Sequence, residues 1–457
     1  MGETHLKKER QISKLGLIKV IGDLFPEEEL KTDYSLHEGI YCELVHSMLS
    51  IREVLAIDRA LRQWIEEDEA VEYVGKQKGY YEYRVNGTII KSIYPSVLQP
   101  SQVDAFTIAP YSGGFIIDFS KERQGLPLPD KLMGTYRKTM GWLKNIDLQL
   151  IADVNQAIDD KQSQSLICMA EALQEKEISD IADELVGQKR MIRVLLISGP
   201  SSSGKTTFAR RMSTQLQVNG LNPVPLSLDD YFVNRKDTPK DADGHADYES
   251  FYALDLERLR KDVSELIDGR VVDTPLFDFL TGTRKAKTKS LKLGENEILV
   301  IEGIHALNPQ LLTNINRKSF YKIYISSLFS LNVDMSNRVP TTEVRLLRRL
   351  IRGAQFRGNP PEETLEQWPR VRRGEDANVF AFQEEADKMF NSSLIYELNA
   401  LKPFAEEALK EIPDESPHME TRDRLLNLLS FVREIPTDKI PFNSILREFI
   451  GGSIYRE

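Results

Sequence analysis

Val194-Leu195-Leu196-Ile197-Ser198-Gly199-Pro200-Ser201-Ser202-Ser203-Gly204-Lys205-Thr206-Thr207 is the stretch on which the fold turns. Four apolar residues form a short buried strand. Gly199 to Thr206 then match G-x-x-x-x-G-K-[ST] in full. The residues after Lys205 place Phe208, Met212 and Leu216 on one helix face, and Asn219-Gly220 closes that helix. Strand, glycine-rich turn and helix in that order make an anion cradle. The glycines let backbone N–H groups curl around phosphate oxygens, and the helix N-terminus adds positive potential. Lys205 is placed to reach β- and γ-phosphates, and the Thr206 hydroxyl to ligate Mg²⁺. Gly199, Ser201, Ser202, Ser203, Gly204, Lys205, Thr206 and Thr207 are the expected nucleotide contacts.

Outward from this stretch, strands and helices alternate as in a parallel α/β sheet. Further strands are expected at Val224–Leu228, Ile298–Ile301 and Tyr321–Ser326. Two of them run into acids, Asp229-Asp230 and Glu302. Ligands bind at the carboxyl ends of such strands. Phosphoryl transfer to an alcohol needs a carboxylate for the hydroxyl proton and another near Mg²⁺. Asp229 is the candidate base and Glu302 the candidate metal-shell acid. Taken alone, Asp229 or Asp230 would read as a turn or N-cap residue.

Thr342–Arg352 reads as a helix with Arg345, Arg348, Arg349 and Arg352 on one face. Phosphate would satisfy such a face, and so would a set of acids such as Glu343. Arg357-Gly358 marks the expected helix end.

The whole chain has 457 residues, enough for two or three domains at about 100–200 residues each. Its 60 Lys and Arg against 70 Asp and Glu give a net charge of −10, which argues against a nucleic-acid or membrane-surface coat. Cys42 and Cys168 stand alone, with no zinc or disulfide pattern. No apolar run is long enough to span a bilayer, and the first residues lack a signal core, so the cytosol is the expected location. Residues 1–145 read as a smaller α+β domain. Leu15–Phe25 and Ser50–Glu66 are helical, the latter by Val54, Ile57, Leu61 and Ile65. Tyr80–Val85 and Thr88–Ile93 form a hairpin around Asn86-Gly87, and Gly114–Phe119 is a further strand. A helical linker is expected over 146–190, a P-loop α/β domain over 191–402, and a helical C-terminal extension over 403–457.

In order, GPSSSGKTT (Gly199–Thr207), SLDDYF (Ser227–Phe232), Asp247 to Asp255, TPLFDFLTGTR (Thr274–Arg284), VIEGIH (Val300–His305) and RLLRRLIRGAQFRG (Arg345–Gly358) resemble the uridine kinase / phosphoribulokinase family of P-loop kinases. The resemblance implies an α/β fold with a mainly parallel sheet flanked by helices, ATP and Mg²⁺ as cofactors, and a small-molecule acceptor. It maps the base to Asp229, acceptor contacts to Asp247, Phe277, Asp278 and Arg284, and lid arginines to Arg348, Arg349, Arg352 and Arg357. Family members often self-associate. The chain as a whole is similar to long nucleoside kinase-like proteins with a threonyl-tRNA-synthetase-like N-terminal domain, through Leu24–Tyr41 and the tail Ile440–Ser453. The synthetase editing domain has a metal-binding HxxxH where this chain has Gln11 and Leu15.

The reading that results is an ATP-dependent kinase acting on a hydroxyl, with a nucleoside first among acceptors. Uridine kinases carry a Tyr and a His where this chain has Phe277 and Gly282, so a sugar, polyol or sugar phosphate stays open as acceptor. A nucleotide-dependent regulatory or RNA-binding module is the alternative from another class.

Overall fold

The computed structural model describes residues 3–36, 38–120, 129–188, 191–241, 243–278 and 281–455. Phe279 and Leu280, inside the expected acceptor segment, lie outside the described residues. The chain divides into two units, each built from separated segments. The first takes residues 1–163, 329–344 and 398–435. The second takes 164–328, 345–397 and 436–457.

The first unit holds an antiparallel sheet in the order Leu30–Leu36, Gly39–Leu44, Gly114–Asp118, Thr107–Tyr111. A separate three-stranded meander runs Glu72–Gln77, Tyr80–Val85, Thr88–Ser92. Asn86 at φ 44° and Gly87 at φ 84° make the left-handed turn expected between the last two strands. The helix Ile51–Glu67 starts at a capping box in which Ser50 and Glu53 satisfy each other's backbone N–H. It buries Val54, Ile57, Leu61 and Trp64, and Ile65, on the expected face, packs half-buried against the same core. The first helix is longer than expected, Glu3–Leu24. Gln11 on it donates to Ser92 Oγ at 2.8 Å, and Leu15 is wholly buried in the core.

The second unit is a five-stranded sheet in the order Lys388–Asn391, Phe320–Ser326, Val194–Ser198, Glu297–Glu302, Asn222–Ser227. Every pairing in it is parallel. Val194–Ile197 of its central strand are apolar and buried because both faces are covered. On one face Leu196, Leu226, Leu299 and Ile301 pack against Leu259, Val263 and Leu266 of the helix Leu256–Ile267. The helix Lys205–Val218 buries Phe208, Met212 and Leu216, as its spacing predicts. Phe208 lies 4.6 Å from the Phe390 ring. The expected α/β class therefore holds, with smaller sheets and further helices around it. The C-terminal region is helical as expected: helices cover Glu397–Lys410, Met419–Leu429 and Arg447–Ile450, joined by turns and extended chain.

Candidate functional site

The Val194–Ser198 strand ends at the glycine-rich loop. A Cβ on Gly199 would stand 2.0 Å from the Ile325 carbonyl oxygen, so only glycine lets the loop leave the sheet there. Ser202 at φ 58° and Gly204 at φ 83° turn the backbone into a left-handed nest ahead of the helix. Lys205 folds back and donates to the Pro200 carbonyl at 2.9 Å. Burial lowers its pKa, and the charges of Glu302 and Asp229 oppose that. The Ser203 hydroxyl is buried with no hydrogen-bond partner.

The parallel register brings the acids to this loop. Glu302 pairs with Ile197 on one side and Ser227 on the other. The Ser227 hydroxyl donates to Glu302 at 3.3 Å and accepts from the Asp229 N–H at 3.3 Å. Burial raises the pKa of both carboxyls. The Asp229 charge adds to the rise at Glu302, and Lys205 and Arg357 pull Asp229 the other way. The adjacent Asp230 is turned aside and accepts from the Phe277 N–H at 3.0 Å. The two consecutive acids are thus told apart. Asp229 faces the cations and Asp230 fixes a loop.

A nucleotide and Mg²⁺ fit these residues. The nest offers backbone donors to an anion. Two half-buried carboxyls, Asp229 and Glu302, together with the Thr206 hydroxyl, offer the oxygen donors a hard cation takes. Among the described residues no three His, Cys, Asp or Glu side chains are grouped to hold a metal unaided. Mg²⁺ usually takes one or two carboxylates and completes its shell with waters and phosphates.

The arginine helix is Thr341–Arg352, and from Arg345 onward it belongs to the second unit. Its arginines part company. Arg345 and Arg348 are only 2% and 0% exposed. Arg345 pairs with buried Glu375 and donates to the Ser201 carbonyl at 3.1 and 3.0 Å. Arg348 pairs with buried Glu397 and donates to the Ser202 and Ser392 carbonyls at 3.2 and 3.1 Å. These two hold the loop from behind, which differs from the expected phosphate-facing role for Arg348. Their carboxylate partners lie far along the chain, so the spacing alone could not show that they were already paired. Arg349 reaches the loop's front, donating to Ser201 Oγ at 2.6 Å. Arg352 donates to Glu448 at 2.8 Å. Arg357 ends the π-helical turn Gly353–Arg357, and its charge acts on Asp229.

Arg348→Met should cost about 3–5 kcal/mol, because it strands a buried carboxylate. The double variant Arg348→Met/Glu397→Leu should recover most of that loss. Urea unfolding measures both. A residue that only met phosphate would leave stability unchanged.

Of the residues expected on the acceptor side, Phe277 and Arg284 lie beside the Asp230–Phe232 turn. Phe277–Asp278 and Thr283–Arg284 form a small hairpin. Phe277 meets Phe232 edge-on at 5.9 Å. Arg284 is engaged by the protein itself. It donates to the Phe232 and Tyr231 carbonyls at 3.2 and 3.3 Å and pairs with Asp255 at 2.9 Å. Asp247 accepts from the Glu249 N–H at 3.1 Å and shapes the turn that carries Glu249.

Three carboxylates of the site were not apparent from the sequence: Glu249, Glu375 and Glu448. Glu375 accepts from the Ser201 N–H at 2.8 Å. Glu249 lies against Gly374, where a Cβ would stand 2.3 Å from its own Cβ. A glycine inside the helix Pro361–Asn378 was the available signal. Burial, then the charge of Glu375, pushes the Glu249 carboxyl up from 4.5 to about 7.

A raised carboxyl pKa stabilises the fold below the unfolded value and loses that contribution as pH rises through the folded one. For Glu249 the loss falls between 4.5 and about 7. Glu249→Gln should therefore flatten the decline of Tm between about pH 5 and 7.5. Thermal melts of both proteins across that window check it.

Residues 194–394 match the model of the phosphoribulokinase / uridine kinase family. A uridine kinase of Deinococcus deserti is 29% identical over 175 residues, which are 38% of this chain and 75% of that protein. A uridine kinase of Mycoplasma genitalium is 30% identical over 178 residues, 39% of this chain and 74% of its own. Among solved structures, a possible uridine kinase from Bacillus stearothermophilus aligns with 47% of this chain and 98% of itself, at 21% identity and a TM-score of 0.32.

Proposed function

Because the chain belongs to the phosphoribulokinase / uridine kinase family, we propose that it transfers the γ-phosphoryl group of ATP to a hydroxyl of a small molecule, a nucleoside first. The observation that carries this reading is the meeting of Lys205, Asp229 and Glu302 at neighbouring strand ends, with Asp230 tied off to Phe277. Asp229 takes the acceptor's hydroxyl proton, and its raised pKa makes it a stronger base than an exposed aspartate. Lys205 and the loop N–H groups bind the phosphates. Arg349, which reaches Ser201, and Arg352 and Arg357, whose charges act on Asp229, would meet the charge that develops in transfer. Arg345 and Arg348 act through the loop as positioning residues. Mg²⁺, held by Thr206 and Glu302, would neutralise phosphate charge. Asp247, Phe277, Asp278 and Arg284 shape the acceptor side.

One observation favours a second acceptor class. Phe277 is packed on Phe232, and Gly282 at φ 66° is backed by Arg235, so neither position offers a polar side chain to a base. A sugar, polyol or sugar phosphate would need none there. The same reading keeps residues 1–145 as a threonyl-tRNA-synthetase-like domain and 191–402 as the kinase domain, in a self-associating cytosolic protein. Among the described residues no helix is long and apolar enough to cross a membrane.

The test is Mg²⁺-dependent ATP consumption against nucleosides, sugars, polyols and sugar phosphates, with Lys205→Ala beside the unaltered chain. Turnover with a nucleoside, lost in the variant, supports the first reading. Turnover confined to a sugar or polyol supports the second. No turnover with any hydroxyl acceptor would overturn both.

A further inference from the structure

Residues 436–455 close the second unit and lie outside the family match. They pack onto the glycine-rich loop. A Cβ on Gly204 would stand 2.5 Å from Ile445 Cγ2, and the Arg348 guanidinium lies 4.9 Å from the Phe449 ring centre. Arg447 pins the segment's own backbone, donating to the Thr437 and Ile440 carbonyls at 2.8 and 2.6 Å. The next residue, Glu448, points at the loop. Its Oε2 accepts from the Thr207 N–H at 3.3 Å and from the Thr207 hydroxyl at 2.8 Å, and its Oε1 accepts from Arg352 at 2.8 Å.

The Thr207 N–H and hydroxyl belong to the first turn of the helix that follows the loop, and that turn is an anion seat. In this structure a carboxylate fills it. A phosphate of the same sign and geometry would compete for the same two donors. Glu375, which takes the other loop N–H, is differently placed. It is fully buried and ion-paired with Arg345 and with Arg372, the latter at 3.1 Å.

We propose that Glu448 is a further residue of the nucleotide site, supplied from outside the family region, that occupies the phosphate seat at Thr207 and hands it to the nucleotide. This rests on the loop being the nucleotide site. When a phosphate takes the Thr207 donors, the Glu448 carboxylate leaves them. Arg352 then gives up the Glu448 carboxylate and stays in the field of Asp229, beside the incoming phosphates. The exchange of one anion for another lowers intrinsic nucleotide affinity.

Calorimetric titration of the full chain with ATP, ADP and adenosine, all with Mg²⁺, tests this in Glu448→Gln. The substitution keeps size and removes charge. ATP and ADP should bind on the order of tenfold tighter, the scale of a typical coupling between two sites, while adenosine affinity stays unchanged. Unchanged or weaker ATP binding would overturn the proposal and make Glu448 a support of the loop. Lys205→Ala separates the premise: if it leaves ATP affinity untouched, the loop is not the nucleotide site, whatever Glu448 does. Should Glu448→Gln fail to fold, hydrogen exchange of residues 440–453 in the unaltered protein decides. Saturating ADP should speed their exchange severalfold, and equal or slower exchange would overturn the displacement.

Discussion

Lys205→Ala lowers kcat/KM for ATP by about a thousandfold or more while the fold survives. The side chain starts the helix Lys205–Val218 and turns back over its own loop to Pro200. Its ammonium lies in the field of both strand-end carboxyls. In the proposed reaction it is the cation set against the β- and γ-phosphates, where charge moves during transfer. Its loss removes attraction that grows in the transition state, so kcat falls as well as affinity. Lys205→Arg should fail to rescue, because a planar guanidinium does not replace a compact ammonium folded into this turn. A coupled assay of ATP consumption, with a thermal melt to establish folding, reads both variants. Retention of a tenth of the activity would remove the loop from the chemistry.

Asp229→Asn has the second large effect. Loss of a general base costs about 10²–10⁴ in kcat. ATP affinity should hold or tighten, since a negative charge beside Lys205 is removed. That split, with kcat down and nucleotide binding intact, is what separates a base from a structural acid. The pH dependence has a definite sign. Burial raises the Asp229 pKa, and the base must be ionised to act, so kcat rises with pH through that raised value. In the Asn variant this limb disappears. Asp230→Asn provides the contrast. It weakens the bond to the Phe277 N–H and should act mainly on acceptor KM.

The parts of this site that were legible in the sequence are those written in one run of chain. Gly199 to Thr207 states its own geometry, because glycines, lysine and threonine fall at fixed offsets between a strand and a helix. Asp229 and Glu302 were legible because each follows an apolar strand, and parallel strands end together. The long-range pairs were not legible. Arg345, Arg348, Arg349 and Arg352 show a helical face, but Glu375, Glu397, Ser201 and Glu448 answer them from elsewhere in the fold. A hint was present in the composition of that helix. Four arginines shared it with one acid, Glu343, so their counter-charges had to come from other segments. Trp64 was missed for a simpler reason. Its large ring reaches the core from the flank of the stripe that Ile65 shares. The tail Ile440–Ser453 stood out as a motif, but its target lay more than two hundred residues away, at the loop.

That separation has a consequence in time. A ribosome adds about 5–20 residues per second, and segments fold as they emerge. The sheet and the ion pairs that shape the loop are complete only at Asn391 and Glu397, so Glu448 follows them by about 50 residues, on the order of three to ten seconds. During that interval the Thr207 donors meet whatever anions the cell supplies, and nucleotide is the fitting one. On the proposed reading, a nascent chain could thus take a nucleotide before the competing carboxylate has been synthesised, whereas the finished protein would exchange one anion for the other.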